Sequence, residues 1–164
     1  MTGRRNPVPQ LVPHDDEYAL HAQRHARRFD FEAAFDAAQE IDDPRVRAGA
    51  RAIIVKRLAE ARNYPQAREE AFKISDPAIR TLAHLSIARV TGSTSDFAHT
   101  LSAAEAVSGR WRNAILQEIA NSLAEAHCFL FAKSVAEKID DQEKSSATRK
   151  LIDLKRQRSR ILGR

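Results

Sequence analysis

The sequence predicts an all-α protein: a stacked array of about four helix-turn-helix repeats with a period of about 33 residues, closed by a C-terminal capping helix. Three observations predict it. Four apolar anchors, Ile41, Ile74, Val107 and Ile139, stand 33, 33 and 32 residues apart. The residue ten before each anchor is aromatic: Phe31, Tyr64, Phe97 and Phe129. Three before each anchor stands an alanine (Ala38, Ala71, Ala104, Ala136), and nineteen before it stand Ala22, Val55, Ala88 and Ala120. A fixed period of this length marks units that cannot bury their apolar faces alone and are covered only by their neighbours.

Composition agrees. The 164 residues are 43% hydrophobic and 30% charged, with five glycines, a balance that suits one helical domain. No apolar run approaches the roughly 18 to 20 residues that cross a bilayer, so no membrane span is expected. The start, Met1 to Pro7, has two arginines but leads into proline-broken, acidic sequence without the apolar core of a secretory signal, and a cytoplasmic location is expected. The single Cys128 has no intramolecular disulfide partner, which suits a reducing compartment. Beside Phe129 it is expected as a small buried apolar residue.

In chain order, residues 1–13 carry three prolines and no apolar period and are expected as a flexible arm. Residues 14–141 form the repeat domain, and 142–164 a basic capping helix and tail. Helices are expected near 15–28, 31–41, 44–61, 64–74, 77–91, 95–107, 110–126, 128–139 and 142–161. Asp43-Pro44 and Asp76-Pro77 start helices, since the aspartate caps through its carboxylate and proline at the first helical position loses no hydrogen bond. Ser108 and Asp141 are the expected caps at the two later boundaries. In the second helix of a unit, Tyr64, Ala67, Ala71 and Ile74 form one apolar stripe with a small centre. Ile54, Val55, Leu58 and Ala59 supply the facing stripe, matched by Ile87, Ala88, Thr91 and Gly92 and by Ile119, Ala120, Leu123 and Ala124. In the last helix Ala147, Leu151, Ile152 and Leu154 are expected to face the array.

The small residue within the first helix (Ala22, Val55, Ala88, Ala120), the aromatic opening the second and the small residue three later (Ala34, Ala67, Thr100, Ala132) resemble the tetratricopeptide repeat over roughly residues 15–139. HEAT-like and Sel1-like helical repeats are neighbouring alternatives. The unit departs from the family pattern by having alanine at Ala38, Ala71, Ala104 and Ala136, where the family favours bulk. The resemblance implies a right-handed α-solenoid whose first helices line a concave peptide-binding surface.

Charge is sorted between the helix layers. Residues 44–62 set six cations against Glu60, whereas 30–43 hold six carboxylates and no cation. Arg47, Arg80 and Arg112 recur near the starts of first helices, where Asp43 and Asp76 four residues earlier offer i, i+4 pairs to the first two. Gln23, Lys56, Arg89 and Asn121 form a second column nine residues further on, which the resemblance places in the concave groove. Both columns are candidate partner-binding residues, and an acidic peptide or helix is the expected ligand. Residues 142–164 hold eight basic residues against Glu143 and Asp153 and form a second candidate surface, for nucleic acid or an acidic protein. They lack the interleaved aromatics of a base-stacking platform.

Catalysis finds little support. Glu17, His21 and His25 share a helix face at a spacing that could ligate a metal, but they lie among Arg24, Arg27 and Arg28, which repel a cation. His84, His99 and His127 occupy dissimilar points of the unit with no nucleophile beside them, and no glycine-rich phosphate loop is present. Trp111 is expected to plug a repeat interface. The expected protein is therefore a non-enzymatic interaction module, an adaptor or chaperone-like protein without cofactor or metal, and the acidic first unit could meet the basic tail of a second copy.

Overall fold

The computed structural model describes residues 14–163, so the arm expected over 1–13 lies outside the described residues. Among these the chain forms nine α-helices and no strand. They are α1 (Asp15–Arg27), α2 (Phe31–Gln39), α3 (Pro44–Glu60), α4 (Tyr64–Phe72), α5 (Pro77–Thr91), α6 (Thr94–Glu105), α7 (Arg110–Glu125), α8 (Phe129–Ala136) and α9 (Gln142–Ile161).

Local chemistry explains the starts. The Asp43 carboxylate accepts the N–H groups of Arg45 and Val46 at 2.7 and 3.2 Å, Asp76 that of Ile79 at 2.9 Å, and Asp141 that of Lys144 at 3.1 Å. Pro44 and Pro77 are the first residues of their helices, where a missing N–H is harmless. The expected cap from Ser108 is not formed. Gly109, at φ 67°, occupies the capping position of α7 and has no side chain to cap with, so Ser108 stands one residue too early.

Three helices, α1, α3 and α7, stop by one device. Phe29, Arg62 and His127 all take the left-handed conformation, at φ 61–62°. Around them Asp30, Asn63 and Cys128 donate their N–H groups to the carbonyls of His25, Leu58 and Leu123, five residues back. These are Schellman closures, which satisfy carbonyls left open at the helix end. The third unit departs from the pattern: α5 ends at Thr91 with Gly92 at φ 64°, and α6 begins at Thr94. Phe97 therefore lies inside its helix and is fully buried, whereas Phe31, Tyr64 and Phe129 open theirs and are half-buried.

Packing follows chain order. The odd-numbered helices each lie against the next odd-numbered one, and each even-numbered helix lies between the two that flank it in sequence. No two described helices more than two places apart are in close backbone contact. The periodic positions form the core: Ala22, Val55, Ala88 and Ala120 are fully buried, and the four anchors are at most 5% exposed. α5 is shared by two apolar clusters, with Ala83 and Ile87 in the first and Leu85 and Ala88 in the second.

The closing helix packs differently from expectation. Its buried stripe is Ser145, Thr148, Ile152 and Ser159, while Ala147, Leu151 and Leu154 are exposed. Ile152 follows Ala120 by 32 residues, so it continues the innermost column. Leu151 follows Ile119 by the same interval, and no described helix comes after α9 to cover it.

Candidate partner-binding surface

The second column lies on the solvent side of the first helices. Lys56 and Arg89 are exposed, and Gln23 and Asn121 are half-buried. Arg89 bridges two helices, with Nε donating to Ser122 Oγ at 2.9 Å and Nη2 to Glu118 Oε1. Lys56 Nζ stands 4.0 Å from Glu60 Oε1. The charge of this column is thus partly answered from within the chain. Asn121 Oδ1 is buried without a hydrogen-bond partner, an open acceptor beside the surface.

Sequence reasoning missed the apolar members of this surface. Leu20, Ile53 and Leu82 are exposed by 51%, 37% and 44%. Leu20 and Ile53 precede Gln23 and Lys56 by three residues, and Leu82 precedes Arg89 by seven, so helical periodicity places each on the face of its polar partner. The available signal was that these three fall off the buried stripe of their helices.

The first column does something else. Arg47 Nη2 donates to the Asp42 carbonyl at 3.3 Å, and Arg80 Nη1 to the Ile74 carbonyl at 3.4 Å. Arg112 Nε lies 3.9 Å from Asp140 Oδ2. These contacts meet the chain just past the second helices, where a cation also opposes the negative helix end. The carboxylates of Asp43 and Asp76, expected to pair with Arg47 and Arg80, are occupied in capping.

Further ties span one unit. Asp15 accepts the N–H groups of Asp42 and Asp43 at 2.9 and 2.8 Å, which holds its carboxyl below the usual carboxylate range. Asn113 accepts the Asp140 N–H at 3.1 Å at the matching place in the last unit. Arg68 on α4 grips the buried Asp96 on α6 through Nε and Nη2 at 2.8 and 2.9 Å, and Thr91 donates to the same carboxylate at 2.7 Å. The guanidinium holds the Asp96 pKa down against the opposing effect of burial.

The basic C-terminal helix is docked rather than loose, and part of its charge is paired. Lys144 lies 3.1 Å from Asp141, Lys155 3.1 Å from Glu125, and Lys133 on α8 lies 2.6 Å from Asp153. Arg149 Nε is buried without a partner. Trp111 is 56% exposed and does not plug an interface, whereas Val46 and Ile79 at the equivalent position are half-buried. Cys128 is half-buried, its thiol donating to the Ala126 carbonyl at 3.6 Å.

The other candidates do not assemble. His25 Nδ1 turns to Asp30 Oδ2 at 3.2 Å, while Glu17 and His21 stay exposed. Among the described residues no three His, Cys, Asp or Glu side chains gather as metal ligands, and no helix is long and apolar enough to cross a membrane. Comparison with protein-family models, with curated proteins and with solved structures finds no match to this chain.

Proposed function

We propose that this chain is a tetratricopeptide-like, right-handed α-solenoid of four repeats plus one closing helix, acting in the cytoplasm as a non-catalytic adaptor. Its first helices would hold a partner's peptide or helix. One observation carries the reading: exposed Leu20, Ile53 and Leu82 lie along the same succession of helices as Gln23, Lys56, Arg89 and Asn121. A surface that presents both exposed apolar and long polar side chains suits an amphipathic segment. Its carboxylates would exchange with Glu60 and Glu118 for Lys56 and Arg89.

The test uses the full chain as bait in lysate of the source cells, beside L20D/I53D/L82D and K56E/R89Q. The expected result is a protein retained by the natural chain and lost from both variants while helicity is unchanged. Equal retention by all three overturns the reading. The alternative, nucleic-acid binding through 142–164, is read from an R156E/R158E/R160E variant. These three are charge changes on the outer part of α9, whereas removing the helix would also strip buried Ile152 from the core. Loss confined to that variant, together with sensitivity to nuclease, transfers the function to the basic helix.

A further inference from the structure

One register position separates the units sharply. Tyr18, Arg51, His84 and Leu116 occupy it, and nineteen residues further along each unit stand Ala37, Glu70, Ala103 and Val135. In the second unit the two positions hold an ion pair, Arg51 Nη1 to Glu70 Oε2 at 3.3 Å. In the fourth they hold Leu116 and Val135, both buried. The third unit keeps a donor, His84, and replaces its carboxylate by Ala103.

Beside His84 lies a cleft of about 230 Å³ between α4, α5 and α6, lined by Phe72, Arg80, His84, His99, Ser102 and Ala103. His84 is 3% exposed, and its Nε2 has no hydrogen-bond partner. A buried imidazole nitrogen without a partner is costly unless something fills the need. Arg80 and His99 surround it with positive potential, opposed by Asp96, whose carboxylate is already held by Arg68 and Thr91. Burial and these neighbours hold His84 neutral near pH 7, with its pKa down at about 4. The Phe72 ring stands edge-on to His84 at 4.7 Å and is 62% exposed, so one wall is an open aromatic surface. A larger cleft in the second unit, lined in part by Arg47 and Arg51 at the register of Arg80 and His84, is self-satisfied: Glu70 answers Arg51, Glu69 and Glu70 answer Lys73, and the Asp42 carbonyl answers Arg47.

We propose that the third-unit cleft binds a carboxylate borne on an aromatic or apolar group, the carboxylate taking the place that Glu70 fills one unit earlier and the apolar body lying against Phe72. Arg80 supplies charge, His84 donates from Nε2 as a neutral imidazole, and His99 closes the outer side. This site is separate from the first-helix surface and does not depend on it.

The test follows the His84 and His99 ring resonances of the full chain by NMR during titration with benzoate, and with benzamide as the uncharged control. The expected result is a saturable shift with benzoate alone. Two variants copy neighbouring units and so suit the fold: A103E, which restores the carboxylate of Glu70, and H84L, which copies Leu116. Each should weaken benzoate at least about tenfold, and A103E alone should move the His84 pKa upward. A parallel titration with acetyl-Ala-Phe assigns the source. Tighter binding than benzoate, lost on C-terminal amidation, identifies a peptide end; benzoate binding as tight or tighter identifies a free acid. No saturable benzoate shift, equal response to benzamide, or benzoate affinity unchanged in A103E and H84L overturns the site.

Discussion

The second and third units, residues 44–75 and 77–107, share a register and a buried core yet settle their polar groups in opposite ways. In the second, Arg51 meets Glu70, and the Asn63 side chain at the start of α4 donates from Nδ2 to Gln66 Oε1 at 2.7 Å. In the third, the position of Asn63 is taken by Asp96, which is 3% exposed and tied to Arg68, while the position of Arg51 is taken by His84 with an unanswered nitrogen. One unit closes its polar contacts locally. The other draws a cation from its neighbour and leaves a gap beside it. The two segments therefore hold different polar groups at the same helical register while their core columns stay buried.

The contrast can be broken most strongly at Asp96. D96A removes the 2.7 Å acceptor of Thr91 and both bonds from Arg68, whose side chain is 40% exposed and can partly rehydrate, so a loss of about 2–3 kcal/mol is expected. N63A at the same register should lose less than about 1 kcal/mol. Chemical denaturation of the two variants checks the ordering, and equal losses would erase the distinction.

Acid should act on the third unit first. Because the His84 pKa falls from 6.5 to about 4 on folding, the unfolded chain binds a proton in that interval and the folded chain does not. Stability should thus decline as pH drops from 6.5 to about 4, by an amount on the order of 1–2 kcal/mol after allowance for screening by the adjoining cleft. The Asp96 contribution is lost only at lower pH, as its depressed pKa is crossed. Thermal melts of the natural chain and H84L across this range should differ in slope; parallel slopes would show that His84 titrates alike in both states.

E70A converts the second unit toward the third. It leaves Arg51, whose side chain is 20% exposed, without its acceptor, and should destabilise by about 1–2 kcal/mol as read by urea unfolding.

The smallest effects concern the turns. Arg62 holds φ 62° with a side chain that disfavours it, so R62G should stabilise by about 1 kcal/mol. Gly92 already supplies that freedom at φ 64°, and G92A should destabilise by a similar amount. A shift of the melting temperature in opposite directions is the expected readout.

Helical class, helix bounds to within three residues and the buried columns are all legible in the order of the amino acids. These follow from apolar spacing and, at Asp43, Asp76 and Asp141, from capping chemistry, both of which act over a few residues. Tertiary structure decided what each polar side chain meets. Arg89 was legible as a long polar residue in a column, but Glu118 and Ser122 lie a unit away, and only the packing of α5 on α7 brings them to it. Arg47 and Arg80 matched an i, i+4 pattern, yet backbone carbonyls compete for guanidinium groups and capping claims the aspartates. In α9, Leu151 reads as a core residue because a leucine carries no mark of whether a neighbour follows; it is exposed because no later described helix covers it. The cleft at His84 was hidden for the same reason: a missing carboxylate at Ala103 becomes meaningful only when folding sets α6 beside α5.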